Sequence, residues 1–280
     1  MKNIVVGIDF SNNSLNSLKH AISISLRTGA SMHLVWVKTP GMQKNIQHQA
    51  SPEDMMSEAH ALLQKLLQEC RHEAPASPAQ SVILDGKPYL ELPKYAANLP
   101  ESMIVIGTHG NSGFEEKFVG SNAFKTASIS RVPVLVLREG ISVKRDLTQV
   151  LVPIDTSFET LQKVKPAIHI AKAFNAKVLL AGFYFNQQEK HIVSIQMDHA
   201  DVLCTKANIR HDRVLVKYKK SPITSLVDCA VSNDVNLMVI MRENEQDDSL
   251  WMGNGTRQLM INTPMPLLII PNVHHTNSTK

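Results

Sequence analysis

The sequence has few cysteines and no long apolar run, and both shortages narrow what the protein can be. Its 280 residues include three cysteines, which lie far apart and form no CxxC pair: Cys70, Cys204 and Cys229. So sparse a set argues against a disulfide framework and for a reducing compartment, so we expect a cytoplasmic protein. No apolar run approaches the ~20 residues that cross a bilayer, and no basic-apolar leader precedes the first predicted strand.

The sequence also lacks a strong excess of either charge. Its 29 Lys and Arg residues stand against 25 Asp and Glu residues, which leaves a net charge of +4, and the basic residues are dispersed. We therefore predict that neither nucleic acid nor a membrane surface is a partner.

Several well-known catalytic and binding motifs are missing. No GxxxxGK[ST] sequence is present, which excludes a Walker-type phosphate loop, and no GxGxxG follows the first predicted strand. The sequence has no GxSxG nucleophile turn, and no HExxH or Cys-His spacing typical of zinc. We accordingly predict no catalytic residues and no metal ligands.

What the sequence does contain is a strand, a glycine-rich loop, a helix and a second strand, over 103–137. Gly107, Gly110 and Gly113 interrupt the pattern after an unbroken apolar run, and Gly120-Ser121-Asn122 opens the predicted helix. Glycines let a ligand approach the backbone, and free N–H groups at a helix start favour an anion. The pattern favours a phosphate site; ordinary turn glycines are the alternative.

The chain alternates predicted strands and helices, and the pattern occurs twice. Asp9 follows the first strand of the first half, and Asp155 follows the first strand of the second. Alternation of this kind predicts an α/β fold with a mainly parallel sheet in each half, and a repeat of about 140 residues indicates a duplicated domain. We predict domains at 1–139 and 148–273, a linker at 140–147 and a flexible tail at 274–280.

The motif Gly107-x-x-Gly110-x9-Gly120-Ser121 resembles the ATP-binding signature of the universal stress protein family. The phrases GTHGNSG at 107–113 and VPVLVL at 132–137 are also similar to that family, in its tandem two-domain form. The resemblance spans the first half and, more faintly, the second. It implies two doubly wound domains, each with a five-stranded parallel sheet of order 3-2-1-4-5 flanked by helices.

The resemblance also implies an ATP site at the switch point of the first sheet, with the presence of Mg²⁺ left open. Asp9 would contact the adenosine part, and the backbone of Val37 would hold adenine. Ribose and phosphates would lie against the five remaining residues: Gly107, Gly110, Gly120, Ser121 and Asn122. From the residues alone, Asp9 could instead be a helix N-cap, Ser121 could cap as well as bind, and Lys117 or Lys125 could approach phosphate or stay on the surface.

The second half departs from this motif. Its fourth strand ends in Met241-Arg242 and then the acidic segment 243–248, and the early glycines are absent. Carboxylates facing a triphosphate are unfavourable, so we predict that the second domain does not bind ATP although it keeps Asp155. The acidic segment is either a solvated surface or a site for a cation or a partner.

Three functional hypotheses follow. The first is a cytoplasmic ATP-binding stress-response protein with one nucleotide site, in the first domain. The second is a nucleotide-independent adaptor with an unidentified protein partner, and the third is a slow ATPase. The resemblance further implies that the terminal strands of the domains pair, either within the chain or in a homodimer.

Overall fold

The structure of the protein, a computed structural model, describes residues 1–39, 52–108, 121–138, 140–141, 147–219, 221–242 and 255–272. The chain forms two compact units, Met1–Asp146 with Pro264–Pro266 and Leu147–Thr263 with Leu267–Lys280. The predicted linker lies mostly outside the described residues. Within these ranges, no helix has the length and apolar character that a membrane crossing requires.

The first unit is a parallel sheet with its strands in the order β3-β2-β1-β4-β5. The strands are β1 Asn3–Ile8, β2 Ser31–Lys38, β3 Ala79–Asp85, β4 Ser102–Gly107 and β5 Val134–Leu137. The helices are α1 Asn12–Thr28, α2 Pro52–Glu73, α3 Pro88–Ala97 and α4 Ser121–Ile129.

Buried apolar strands and capped helices explain why this unit forms. The central strands β1 and β4 are almost wholly buried, as expected for a parallel sheet with helices on both faces. Helix α1 begins after Ser11, whose hydroxyl accepts from the Ser14 N–H, and ends at Gly29, which adopts the left-handed conformation at φ 69°. These signals direct the chain from the end of β1 back to the start of β2.

The second unit has the same topology, with strand order β8-β7-β6-β9-β10. The strands are β6 Gln149–Ile154, β7 Lys177–Tyr184, β8 His211–Lys217, β9 Leu237–Met241 and β10 Leu267–Ile270. The helices are α5 Val164–Phe174, α6 Gln187–Lys206, α7 Pro222–Ser232 and α8 Gly255–Asn262. The predicted fold class, two tandem doubly wound units of order 3-2-1-4-5, is confirmed.

The second unit differs locally from the first around its central strand. A 3-10 helix, Phe158–Lys163, precedes α5, so Pro166 lies in the first turn of α5, where its missing N–H is tolerated. Pro153 lies within β6, and the register between β6 and β9 covers only Val150 and Leu151. The equivalent register between β1 and β4 runs from Asn3 to Val6.

Candidate functional site

Three of the predicted site residues lie at one edge of the first sheet. Asp9 comes directly after β1, and Gly107 is the last residue of β4, the neighbour of β1. The register of β1 with β2 ends at Ile8 and Trp36, so Val37 lies just past the end of β1. Strands β1 and β4 connect onward in opposite directions, which makes this edge the switch point where open α/β sheets bind ligands.

The Asp9 carboxylate is held by the start of α1. Its Oδ1 accepts the Ser11 N–H at 3.0 Å and the Ser11 hydroxyl at 2.5 Å, while its own N–H donates to the Ser14 hydroxyl at 3.3 Å. Asp9 is half-buried, and in the described part of the chain no group donates to its Oδ2. The second oxygen can therefore accept a hydrogen bond from a ligand hydroxyl or amine.

The alternative that Asp9 is itself the N-cap of α1 is wrong. The N-cap is Ser11, whose side chain accepts from the Ser14 N–H. Asp9 instead orients Ser11 by accepting from its hydroxyl. The cap and the candidate ligand-binding carboxylate are thus separate residues in one hydrogen-bond network.

Gly107 is required by a close approach of α1. A Cβ at this position would lie 2.6 Å from both Cγ and Nδ2 of Asn13, a buried residue in the first turn of the helix. A side chain there would displace Asn13 from the end of β4. The absence of a side chain at Gly107 therefore has a packing role beside Asp9 in addition to any role toward a ligand.

The remaining predicted residues lie on the loop and helix that follow β4. Gly110 and Gly120 fall outside the described residues, as do His109 and Lys117. Ser121 is described only as the first residue of α4, and Asn122 is exposed in its first turn. The crossover topology carries α4 back from the edge where β4 ends, so its N-terminus belongs to that edge.

Lys125 has a partner within the first unit. Its Nζ lies 4.9 Å from the centroid of the Tyr89 ring, a cation–π distance. The described structure thus gives this lysine a surface role. Trp36 is likewise a packing residue, since it is buried and its ring centroid lies 6.2 Å from that of Phe10.

The second unit builds a similar network around Asp155. Its Oδ1 accepts the Ser157 N–H at 2.9 Å and the Ser157 hydroxyl at 2.5 Å, and its own N–H donates to the Thr160 hydroxyl at 3.1 Å. Counted from the strand-end aspartate, Ser157 and Thr160 hold the positions of Ser11 and Ser14. The duplicated halves therefore retain the same turn after their first strand.

The two networks differ in a buried lysine that the sequence interpretation missed. Counted in the same way, Lys163 holds the position of Ser17, and its Nζ donates to the Thr160 hydroxyl at 3.0 Å. Both residues belong to the 3-10 helix, in which side chains three residues apart line up. Lys163 is only 1% exposed and Asp155 only 2% exposed, so the carboxylate of this half faces the protein interior.

Electrostatics tie Lys163 to Asp155. Burial lowers the pKa of the Lys163 ammonium, and the nearby Asp155 carboxylate opposes this effect. Desolvation acts to raise the pKa of Asp155, but Lys163 and the Ser157 and Thr160 donors outweigh it and lower the pKa. The carboxylate of this half is thus stabilised as an anion by groups of its own chain.

The acidic segment 243–248 lies outside the described residues, so the two interpretations given for it stay open. The flanking Arg242 is half-buried, and its N–H donates to the Ile270 carbonyl at 2.8 Å. Burial lowers the pKa of its guanidinium. Among described residues, the structure groups no set of three His, Cys, Asp or Glu side chains that could hold a metal ion.

Comparison with known proteins identifies relatives of the first half. A sequence model of the universal stress protein family matches residues 1–138. A universal stress protein of Methanocaldococcus jannaschii is 28% identical over 142 residues, which cover 49% of this chain and 82% of that protein. One from Bacillus subtilis is 32% identical over 76 residues, which cover 26% of this chain and 51% of that protein.

A solved structure matches both halves. The crystal structure of a universal stress protein from Archaeoglobus fulgidus superimposes with a TM-score of 0.79, covering 96% of this chain and 98% of that chain. The two sequences are 16% identical. The match therefore shows a shared fold over nearly the whole length of both chains.

Proposed function

Because this chain belongs to the universal stress protein family, through the sequence of its first half and the fold of both halves, we propose that it is an ATP-binding stress-response protein with one site. The site comprises Asp9 and the Val37 backbone at the nucleoside end. The glycine-rich loop with Gly110 and Gly120, followed by Ser121 and Asn122, takes the phosphates. Cytoplasmic location and the domain limits given above are part of this proposal.

The observation that carries the proposal is the placement of Asp9 and Gly107. They end adjacent strands at the switch point, and Asp9 keeps a carboxylate oxygen to which no described residue donates. A carboxylate accepts hydrogen bonds but repels phosphate, so it suits the hydroxyl-bearing end of a nucleotide. A helix start such as that of α4, where the first backbone N–H groups have no acceptor within the helix itself, suits the anionic end.

Calorimetric titration of the full-length, ligand-stripped protein with ATP tests the proposal. We expect one equivalent to bind at sub-millimolar concentration. Asp9→Asn keeps an oxygen for Ser11 but replaces the ligand-facing oxygen with a donor, so ATP affinity should fall at least about tenfold, the effect of losing ~1.4 kcal/mol of hydrogen bonding.

Asp155→Asn is the matched control from the second half and should leave ATP affinity unchanged. Gly110→Val should block phosphate approach while the fold persists. Absence of ATP binding by the wild-type protein, or equal affinity in the wild type and both first-half variants, would contradict the proposal. Phosphate release that disappears in Gly110→Val would identify the slow ATPase instead.

One observation favours a second candidate, the adaptor. Helix α6 exposes three apolar side chains spaced along the helix: Ile192, Ile195 and Val202 are 42%, 45% and 47% exposed. Apolar side chains grouped on one helix face are typical of protein interaction surfaces. A partner whose binding is weakened by Ile195→Lys but insensitive to ATP would support this function.

A further inference from the structure

We propose that Lys163 excludes nucleosides from the second half by acting as a built-in counter-ion, which keeps the strand-end carboxylate of Asp155 turned into the protein. This inference rests on the proposed function, because it explains why one of two equivalent turns would bind a ligand. It gives a reason for the absence of nucleoside binding in the second half that lies within the described residues and does not depend on the acidic segment after β9.

The first step is the equivalence of the two turns. In each, the aspartate after the central strand accepts twice from a serine and donates its N–H to a hydroxyl further along. The backbone places both carboxylates at the same edge of equivalent sheets, since β1 pairs with β2 as β6 pairs with β7. Local geometry alone would give both halves the same acceptor.

The second step is the difference at one side chain. Ser17 is buried, and its hydroxyl bonds the Asn13 carbonyl within α1. Lys163 is buried at the equivalent position, but its longer side chain reaches back to Thr160. Only the second half therefore has a buried ammonium on the hydroxyl that also accepts the N–H of the strand-end aspartate.

The third step is the resulting direction of the carboxylate. A buried cation stabilises a nearby anion far more than a surface cation does, because water does not screen the pair. Asp155 is 2% exposed, whereas Asp9 is half-buried. A ligand hydroxyl arriving from solvent can reach Asp9, but at Asp155 it would have to displace an internal partner.

Two aromatic residues, Tyr218 and Phe185, lie near the end of β8 and further limit access to Asp155. Tyr218 follows β8, and its ring centroid lies 5.7 Å from that of Phe185. The pKa of the Tyr218 phenol is raised, first by desolvation, then by Glu189 and by Asp155. The phenol thus lies in the field of Asp155 on the side of the crevice where the first half has Gly86 after β3.

The experiment uses the full-length Asp9→Asn protein, in which the first site is removed, and adenosine as the probe. Adenosine has no phosphate, so the missing phosphate motif of the second half does not affect the outcome. Lys163→Ser installs the first-half residue, Lys163→Met keeps the volume but removes the charge, and Lys165→Ser removes an exposed neighbouring lysine as the control. Circular dichroism at 10 °C checks that each variant is folded.

We expect saturable adenosine binding, by calorimetry or saturation-transfer NMR, in the folded Lys163→Ser and Lys163→Met variants, at least tenfold tighter than in the Asp9→Asn parent. Lys165→Ser should bind no better than the parent. If Lys163→Ser does not fold, the volume-matched Lys163→Met decides the result. Failure of every folded Lys163 variant to gain adenosine binding would overturn the inference.

The same measurements separate this inference from the proposed function. If the wild-type protein binds one ATP and the Lys163 variants gain no adenosine binding, only the counter-ion inference is contradicted. A wild-type protein that binds no ATP, with a gain at Lys163, contradicts only the first-half site. Two equivalents bound by the wild type would contradict both.

Discussion

The two halves place an aspartate at the same point of the same fold, yet only Asp9 can be reached from solvent. Asp9 and its serine partners leave one carboxylate oxygen without a donor from any described residue, whereas Asp155 also has a buried ammonium nearby. We attribute the difference to one position in the following helical segment, where the first half has Ser17 and the second has Lys163. If this proposal holds, a duplicated domain can keep the aspartate of a site without keeping the site itself.

The largest expected effect comes from removing the buried cation. Lys163→Ser leaves the Asp155 carboxylate without its counter-ion, and breaking a buried pair typically costs about 3–5 kcal/mol of unfolding free energy. The second unit should remain folded at low temperature, given a typical total stability of ~5–15 kcal/mol. Native-state amide exchange of strands β6–β8 measures the loss.

The matched change in the first unit is Ser17→Ala, which removes a single hydroxyl bond and should cost only about 1 kcal/mol. The double variant Asp155→Ser/Lys163→Ser should be more stable than Lys163→Ser, because both charges are gone. Equal losses in the two units, or no rescue in the double variant, would show that Lys163 does not stabilise the Asp155 carboxylate.

A smaller effect is expected at Gly182, which pairs with Ile154 as Trp36 pairs with Ile8 in the first unit. A Cβ at Gly182 would lie 2.3 Å from Met197 Sδ and 2.7 Å from Val193 Cγ1 of α6. Gly182→Ala should therefore destabilise the second unit by about 1–3 kcal/mol through overpacking. Urea denaturation measures this loss.

Truncating the colliding side chain provides the control at Gly182. The Met197 side chain is the one nearest to the added methyl group. The double variant Gly182→Ala/Met197→Ala should therefore lose less unfolding free energy than the sum of the two single variants. Strictly additive losses would mean that the helix moves as a whole instead of the side chain.

Replacing the serine of each turn, Ser11 or Ser157, by alanine should cause a smaller loss of stability, and the loss should differ between the two. Ser11 caps α1 and also donates to Asp9, so Ser11→Ala should cost about 1 kcal/mol. Ser157 donates to Asp155 but makes no side-chain cap bond to the 3-10 helix. Differential scanning calorimetry of Ser11→Ala and Ser157→Ala measures the two losses of stability. Calorimetric titration with ATP then tests whether affinity falls only in Ser11→Ala, as the one-site proposal requires.

The smallest expected effect is a different response of the units to acid. His33 is buried in the first unit, where its Nε2 donates to Asn3 Oδ1 at 3.0 Å and its Nδ1 accepts from the Tyr95 hydroxyl at 2.9 Å. Burial lowers the pKa of His33. The unfolded chain therefore binds protons more readily, and the first unit loses stability as the pH falls below the ordinary value of 6.5.

Asp155 responds at lower pH, because its lowered pKa keeps its contribution until the pH falls below the ordinary carboxyl value of 3.8. Amide exchange at pH 7 and pH 5 should thus show weakening of the first unit before the second. His33→Phe should reduce this pH dependence, although His20, whose pKa burial also lowers, would retain part of it. An unchanged pH dependence in His33→Phe would assign the effect to other groups.

Most of the fold could be predicted from the sequence, because buried parallel strands are short unbroken apolar runs. The apolar runs NIVVGI, VLVL, QVLVPI and LLII of the sequence coincide with strands β1, β5, β6 and β10. The ends of exposed strands are harder to predict, since β8 extends from His211 through Lys217, beyond its apolar centre. The polar N-terminal part of β8 pairs with α6, where Arg213 binds Asp198 at 2.6 Å, and such long-range contacts leave no local pattern.

The candidate site was predicted in part. Adjacent strand ends bring Asp9 and Gly107 together, which follows from topology once the strand order is known. The contact of Asn13 with Gly107 and the burial of Lys163 could not be predicted, because both depend on the rotation of a helix. The 3-10 helix before α5 has a different number of residues per turn, which changes that rotation and directs Lys163 into the interior. A pattern read with α-helical spacing does not predict this direction. The alignment of Lys163 with Ser17 in the two halves was a signal that this position differs, but it did not indicate that the lysine is buried.

The short register between β6 and β9 has a consequence for motion. Pro153 has no N–H to contribute, and the ladder ends at Leu151, whereas β1 stays paired with β4 through Val6. Fewer paired residues make local separation of two strands less costly. Local opening of the second unit should therefore occur most readily between β6 and β9. The unit for which no ligand is predicted would then have the less rigid central strand pair.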